Sequence, residues 1–265
     1  MKDAFLYALG VITLIIIGID IQRIAALPPE AAQGTIFKII FFHVPVAITA
    51  MLCSCVALLG SVLFLITKNF KYDALAVSVT EVGLAFLAAN LVTGSIWGRI
   101  IWGVWWAWDA RLTSALICWL LYAGYLMLRR AIEEPTQRAT FAAVFSIFAF
   151  LDVPIVFFSI KWWRTQHPQP VFWGGGSFPP DWAAVFSIFA FLDVPIVFFS
   201  IKWWRTQHPQ PVFWGGGSFP PDWSRVFGWQ MLAMLLLGIV LVAVRLRQEE
   251  SQREIDSLRR MAHSF

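Results

Sequence analysis

The sequence predicts an all-α polytopic membrane helix bundle, and three observations carry that prediction. Of its 265 residues 59% are hydrophobic and 14% charged, a composition outside the range of soluble globular domains. The apolar residues gather in runs, several of them long enough to cross a bilayer, for which about 20 helical residues suffice. The basic residues stand at the ends of those runs instead of on one face, so the net charge of +4 reads as a topology signal and argues against a nucleic-acid partner. Cys53, Cys55 and Cys118 all lie inside apolar runs. A spacing of two points Cys53 and Cys55 in different directions on a helix, and neither a disulfide framework nor a CxxC motif is present. They read as packed apolar thiols.

The first span is expected over Ala4–Ile19 behind the short basic start Met1-Lys2-Asp3. No small-residue cleavage site follows it, so it reads as a retained helix and not a signal peptide. Leu27-Pro28-Pro29-Glu30 opens an outer loop, because consecutive prolines end regular structure. Ile36–Thr67 is longer than a bilayer needs, which projects its first turns and places His43 near the outer boundary. Lys68 and Lys71 mark a cytoplasmic turn, and Ala74–Ser95 forms a third span carrying Glu81 and Asn90. Polar groups at that depth usually face the bundle interior. Thr113–Leu128 returns to the cytoplasm at Arg129, Arg130 and Arg138, and a fifth span runs over Ala139–Ile160. The last is Val226–Val244, followed by a charged amphipathic tail, Arg245–Arg260, that reads as a solvated helix face.

Two features depart from an ordinary bundle. Between the third and fourth spans lies Trp97–Thr113, which carries Trp97, Trp102, Trp105, Trp106 and Trp108 together with Arg99, Asp109 and Arg111. Some indoles at a membrane boundary form an anchoring belt. Here they are dense and interleaved with small residues and guanidinium groups, which suits a flat, aromatic, anionic ligand. The second feature is a tandem repeat: residues 142–182 recur without a change as 183–223. Stacked solenoid repeats diverge and come in at least three copies, so two identical copies indicate a recent duplication or a sequence artefact and not a functional array.

The repeat bears on topology. Counting one span per copy gives seven and puts the tail outside, whereas Arg245, Arg247, Arg253, Arg259 and Arg260 place residues 245–265 in the cytoplasm by the positive-inside rule. The expectation is a single membrane domain over 1–265 with six spans and one extra apolar segment. That segment is accommodated abnormally, since Asp152 and Pro154, or Asp193 and Pro195, interrupt it.

In that arrangement two outer segments each offer a histidine beside the tryptophans: His43, and the histidine of Trp-Trp-Arg-Thr-Gln-His, which is His167 in one copy and His208 in the other. Two imidazoles above a bed of indoles suit the axial positions of haem, with Arg99 or Arg111 as partners for its propionates. The plainer readings are a solvated interfacial histidine, a Trp-Trp-basic membrane anchor, and an ion pair or helix cap between Asp109 and Arg111. Gly174-Gly175-Gly176 has no following lysine and reads as a loop, and His263 sits in the polar tail.

The pattern Trp-Gly-x-x-x-Trp-Gly-x-Trp-Trp-x-Trp-Asp-x-Arg-Leu-Thr over Trp97–Thr113 resembles the tryptophan-rich WWD signature of haem-handling proteins in cytochrome c biogenesis. With His43-Val44-Pro45 before it and Trp162-Trp163-Arg164-Thr165-Gln166-His167 after it, the chain resembles the haem exporter protein C (CcmC) family. The resemblance runs from the first span to the last, apart from 41 extra residues. It implies a multi-pass protein of the bacterial inner membrane that holds non-covalent b-type haem at the periplasmic face and delivers it to a haem chaperone. The implied partners are ABC-type transporter subunits and a small membrane subunit within the lipid bilayer. Carried over by residue, it implies iron ligands at His43 and at His167 or His208, and a macrocycle site over Trp97–Asp109. No P-loop is present and the carboxylates are not paired for acid–base work, so the expectation is a binding and delivery protein, not an enzyme. The alternative is a structural subunit of a transporter complex whose tryptophan-rich loop docks a protein partner.

Overall fold

The computed structural model describes residues 2–31, 33–106, 110–152 and 220–262. Its elements in order are α1 (Lys2–Ala26), a 3-10 turn (Thr35–Ile39), α2 (Ile40–Thr67), α3 (Phe70–Ile101), α4 (Ala110–Ala131), α5 (Pro135–Phe150) and α6 (Pro221–Ala262). The chain is an all-α membrane bundle, and five of these helices are long and apolar enough to span. The described part of α5 has 16 residues and begins the expected fifth span. The expectations for the rest of that span, and for most of both repeat copies, lie outside the described residues.

Local chemistry sets the ends. α1 stops before Pro28-Pro29, and the Lys38 ammonium donates to the Ala25 carbonyl at 2.9 Å, capping an orphaned acceptor of its last turn. α2 ends where Lys68 turns left-handed at φ 55°. Asn69 then caps α3 by accepting from the Lys71 N–H at 3.0 Å. α5 starts on Glu134, whose carboxylate accepts from the N–H groups of Thr136 and Gln137, with Pro135 at a position where a missing N–H costs nothing. Hydroxyls buried along the spans, such as Thr49, Ser78 and Thr80, donate to the carbonyl four residues back. These three hydroxyls are thereby satisfied inside their own helices, as an apolar surrounding demands.

The packing follows one register. α2 and α3 run antiparallel, with His43 beside Thr93, Cys53 beside Gly83, and Gly60 beside Ala76, equal steps taken in opposite directions along the two helices. A Cβ on Gly83 would lie 2.8 Å from the Cys53 Cβ, and one on Gly60 would lie 3.1 Å from the Tyr72 carbonyl oxygen. Small residues thus let the two backbones approach. α6 lies against α1 and α2, with Val240 near Gly10 and Gly238 held against Thr49. The central core joins Val46, Ala50, Cys53, Val82, Phe86 and Met234. A second cluster, with Trp223 between Phe37 and Phe41, closes the end that carries His43. The lipid-exposed flanks are apolar, including Leu14, Leu52, Leu120 and Ile239. All three cysteines are unpaired thiols, Cys53 buried and Cys55 less so, as the spacing predicted.

Two expectations are corrected. α3 extends through Ile101 instead of stopping near Ser95, so the tryptophan segment is divided between a helix end, a turn and the start of α4. The tail is not merely a solvated face. α6 continues unbroken through it, and the Arg253 guanidinium donates to Asp73 at 2.7 Å while Arg245 donates to Glu81 at 2.9 Å. Glu249 joins the two arginines at 3.1 and 2.9 Å, and Arg129 of α4 forks onto Asp73 at 2.6 and 3.0 Å. These charges form a continuous chain across α3, α4 and α6 at the end opposite His43. Glu81, expected simply to face the bundle, has its charge partner in the tail.

Candidate functional site

At the other end the sequence places polar residues on one face of α3. Asn90, Thr93, Gly94 and Trp97 recur at spacings of three and four, which align on a helix. α2 delivers His43 to that face from its first turn. The imidazole Nδ1 lies 2.9 Å from Thr93 Oγ1. The Asn90 amide donates to the His43 backbone carbonyl at 3.1 Å, and its nitrogen stands 3.3 Å from each ring nitrogen. A nitrogen equidistant from both sits over the ring and not along either lone pair. Gly94 makes room: a Cβ there would be 3.2 Å from His43 Cε1 and 4.0 Å from Leu112 of α4. α2 and α3 therefore meet at the histidine, with Leu112 of α4 beside Gly94.

One turn further along α3, Trp97 and Trp102 meet edge to face, with centroids 4.9 Å apart and planes at 78°, a favoured aromatic geometry. The Trp97 indole N–H donates to Gln33 Oε1 at 2.9 Å. Gln33 is held in turn, its backbone N–H donating to Glu30 at 2.7 Å inside a tight turn closed by Glu30 and Gly34. The loop after Pro28-Pro29 thus fixes the ring plane of Trp97. Trp102 caps α3 after Ile101, and Gly103 follows at φ +76°, a left-handed conformation natural to glycine after a helix. The exposed Arg99 folds back to donate to the Gly103 carbonyl. Trp105 is 61% exposed, and Trp106 is half-buried.

Of the residues singled out from sequence, His43, Trp97, Trp102, Trp105, Trp106 and Arg99 thus gather at one end of the bundle. Arg111 lies in the first turn of α4, its side chain outside the described residues. Trp108, Asp109, His167 and His208 also lie outside the described residues. Sequence reading had flagged Asn90 only as an interior polar group and missed Thr93, Gly94 and Gln33. The signal available was the helical spacing of Asn90, Thr93 and Trp97.

Comparison with known proteins decides the family. The family model described as "Heme exporter protein C" matches residues 1–173. The chain belongs to the heme exporter protein C family. Among the relatives of this family member, "Heme exporter protein C" of Bradyrhizobium diazoefficiens is 39% identical over 170 residues, 64% of this chain and 65% of that protein. The Haemophilus influenzae protein of the same name is 35% identical over 157 residues, 59% of this chain and 64% of the relative. A "Putative cytochrome c biosynthesis ccmC-like mitochondrial protein" of Marchantia polymorpha is 37% identical over 143 residues, 54% of this chain and 60% of the relative. The chain spans a little under two thirds of the length of these relatives. The matched range includes His43, the whole tryptophan segment and His167, and ends before His208.

Proposed function

We propose that this chain binds b-type haem non-covalently at the His43 end and hands it on for c-type cytochrome biogenesis. The observation that supports it best is the convergence of His43 with the indole cluster at one end of α2 and α3. The residues present fit the group. His43 is an imidazole donor that Gly94, lacking a Cβ, lets pack closely on α3, and indole faces and edges lie one turn away. Haem would supply the iron and the redox chemistry; the protein's part is to bind, orient and release.

In this reading His43 would hold the iron on one side, together with His167 or His208. The two copies are identical, so a match running continuously from the N-terminus reaches His167 first whichever copy is used. Trp97, Trp102, Trp105, Trp106, Trp108 and Asp109 would line the macrocycle, and Arg99 or Arg111 would pair with its propionates through charge-assisted hydrogen bonds. The site faces the periplasm of a bacterial inner membrane, with the arginine-rich tail in the cytoplasm. The product of the site is delivered haem, received by a haem chaperone. ABC-type transporter subunits and a small membrane subunit are the membrane partners, and ATP hydrolysis belongs to them. The names of the relatives support haem handling, and the helical frame supports a multi-pass membrane protein.

The test is the full chain purified in lipid nanodiscs and titrated with haemin. Wild type gives a Soret band, His43→Ala weakens it, and Trp105→Ala with Trp108→Ala releases haem faster. His167→Ala and His208→Ala, singly and together, assign the second ligand. Well-folded wild type that binds no haemin, oxidised or reduced, overturns the proposal. Undiminished binding after Trp105 and Trp108 are both replaced would favour the partner-docking alternative.

A further inference from the structure

The neighbours of His43 determine more than its position. Thr93 has one hydroxyl hydrogen, and its Oγ1 lies 2.8 Å from the Ala89 carbonyl and 3.0 Å from the Asn90 carbonyl. Both are acceptors only, so the hydrogen is committed to the helix backbone, as in Thr49, Ser78 and Thr80. What Oγ1 presents to the imidazole, 2.9 Å away, is a lone pair. The ring nitrogen facing it must then carry the proton. Asn90 agrees with that assignment. Its amide group meets the His43 carbonyl, where an oxygen would repel, so the NH2 end faces the histidine and lies over the ring, not in line with Nδ1.

We infer that Thr93 is a positioning residue that fixes His43 as the Nδ1–H tautomer, with the lone pair on Nε2, the nitrogen that would ligate haem iron. Asn90 clamps the same residue through its backbone carbonyl. The tautomer stands on the hydrogen bonds alone; its use for iron rests on the proposed haem function. An imidazole that donates its second N–H to a fixed acceptor is oriented and made more basic, and removing such a partner commonly weakens metal binding about 10–100-fold.

Two measurements test this separately. In the ligand-free full chain, labelled with 15N-histidine and held near pH 8.5, above the usual imidazole range of about 6.5, the spectrum of wild type minus His43→Gln isolates His43. The expected signal has a protonated Nδ1 and an unprotonated Nε2. Thr93→Ser keeps it and Thr93→Val shifts it toward Nε2–H. A wild-type His43 protonated on Nε2 overturns the inference whatever haem does. In haemin titrations and redox titrations of the loaded protein, Thr93→Val binds about 10–100-fold more weakly with a raised midpoint potential, and Thr93→Ser restores both. If His43→Ala abolishes binding while Thr93→Val matches wild type in affinity and potential, the haem function survives and the role of Thr93 is lost. If His43→Ala binds as wild type does, the ligand assignment of His43 fails, and the role of Thr93 toward iron fails with it; the 15N signal then decides the tautomer alone.

Discussion

Removing Asp73 should unlock the helices at the basic end. Asp73 is 3% exposed, and its carboxylate accepts two hydrogen bonds from Arg129, which is 7% exposed, and one from Arg253. Asp73→Ala leaves the Arg129 guanidinium buried without its counter-charge, a loss of about 3–5 kcal/mol for a broken buried pair. Arg253 contributes less, because its side chain is 24% exposed and Glu249 remains as a partner; Arg253→Ala should cost about 1 kcal/mol or less. Replacing both buried partners by apolar residues of similar volume, Asp73→Leu with Arg129→Met, removes the stranded charge along with its partner. Such double replacements are often near neutral, although the guanidinium stacked 5.7 Å from the Tyr125 ring is lost as well. The double variant should therefore be more stable than Asp73→Ala by roughly 2 kcal/mol or more. Reversible unfolding in mixed detergent micelles, followed by helical circular dichroism, measures all four proteins. Equal losses in Asp73→Ala and the double variant, or a loss below about 1 kcal/mol in Asp73→Ala, would refute the claim that Asp73 compensates a buried charge.

Gly83→Ala should cost about 1–3 kcal/mol by overpacking, since the new Cβ lies 2.8 Å from the Cys53 Cβ, whereas Gly18→Ala, with open space around its Cβ, should be neutral or stabilising; thermal unfolding of the pair separates them. Gly103→Ala should cost about 1–2 kcal/mol, because an L-residue is forced to φ +76°, and near-ultraviolet circular dichroism should report the altered Trp97–Trp102 pair. The backbone N–H groups of Gln137 and Thr136 hold the Glu134 carboxyl below the usual carboxylate range. Its folded pKa is depressed, so the cap is fully present above the unfolded value of about 4.3 and lost as pH falls through the lower folded value. Hydrogen-exchange protection at Thr136 and Gln137 should follow that titration in wild type and lose it in Glu134→Gln.

The architecture was legible because spans are written in consecutive residues: apolar length, the Pro28-Pro29 break and the basic ends are all local. The head position of His43 followed from the excess length of its span. The end of α3 was not legible, since Trp97, Gly98 and Arg99 neither break a helix nor extend an apolar run, and the helix stops only where Gly103 permits a left-handed turn. The partners of the tail were hidden for a different reason. Arg245 and Glu81 stand 164 residues apart, and Arg253 and Asp73 180. On its own the tail has the charge pattern of any solvated amphipathic helix, and only packing shows which arginines turn inward. Thr93 looked like every other hydroxyl in the spans until α2 brought an imidazole against it.

The register of α2 on α3 ties these observations together. His43 and Cys53 are ten positions apart on α2, about 15 Å at the helical rise, and Thr93 and Gly83 are equally far apart on α3. Whatever holds Cys53 against Gly83 therefore also holds His43 against Thr93 and Asn90. A side chain at Gly83 must separate or slide the helices, and either movement works against the 2.9 Å contact at the histidine. At the opposite end Asp73 and Glu81 pin α3 to α6 through charge, and in the half of the bundle nearer the histidine Gly238 against Thr49 pins α6 to α2 through close packing. α2, α3 and α6 thereby constrain one another pairwise, with one contact of each pair set by small residues or by ions. The polar groups around His43 can be few because its position is fixed by contacts made well below it.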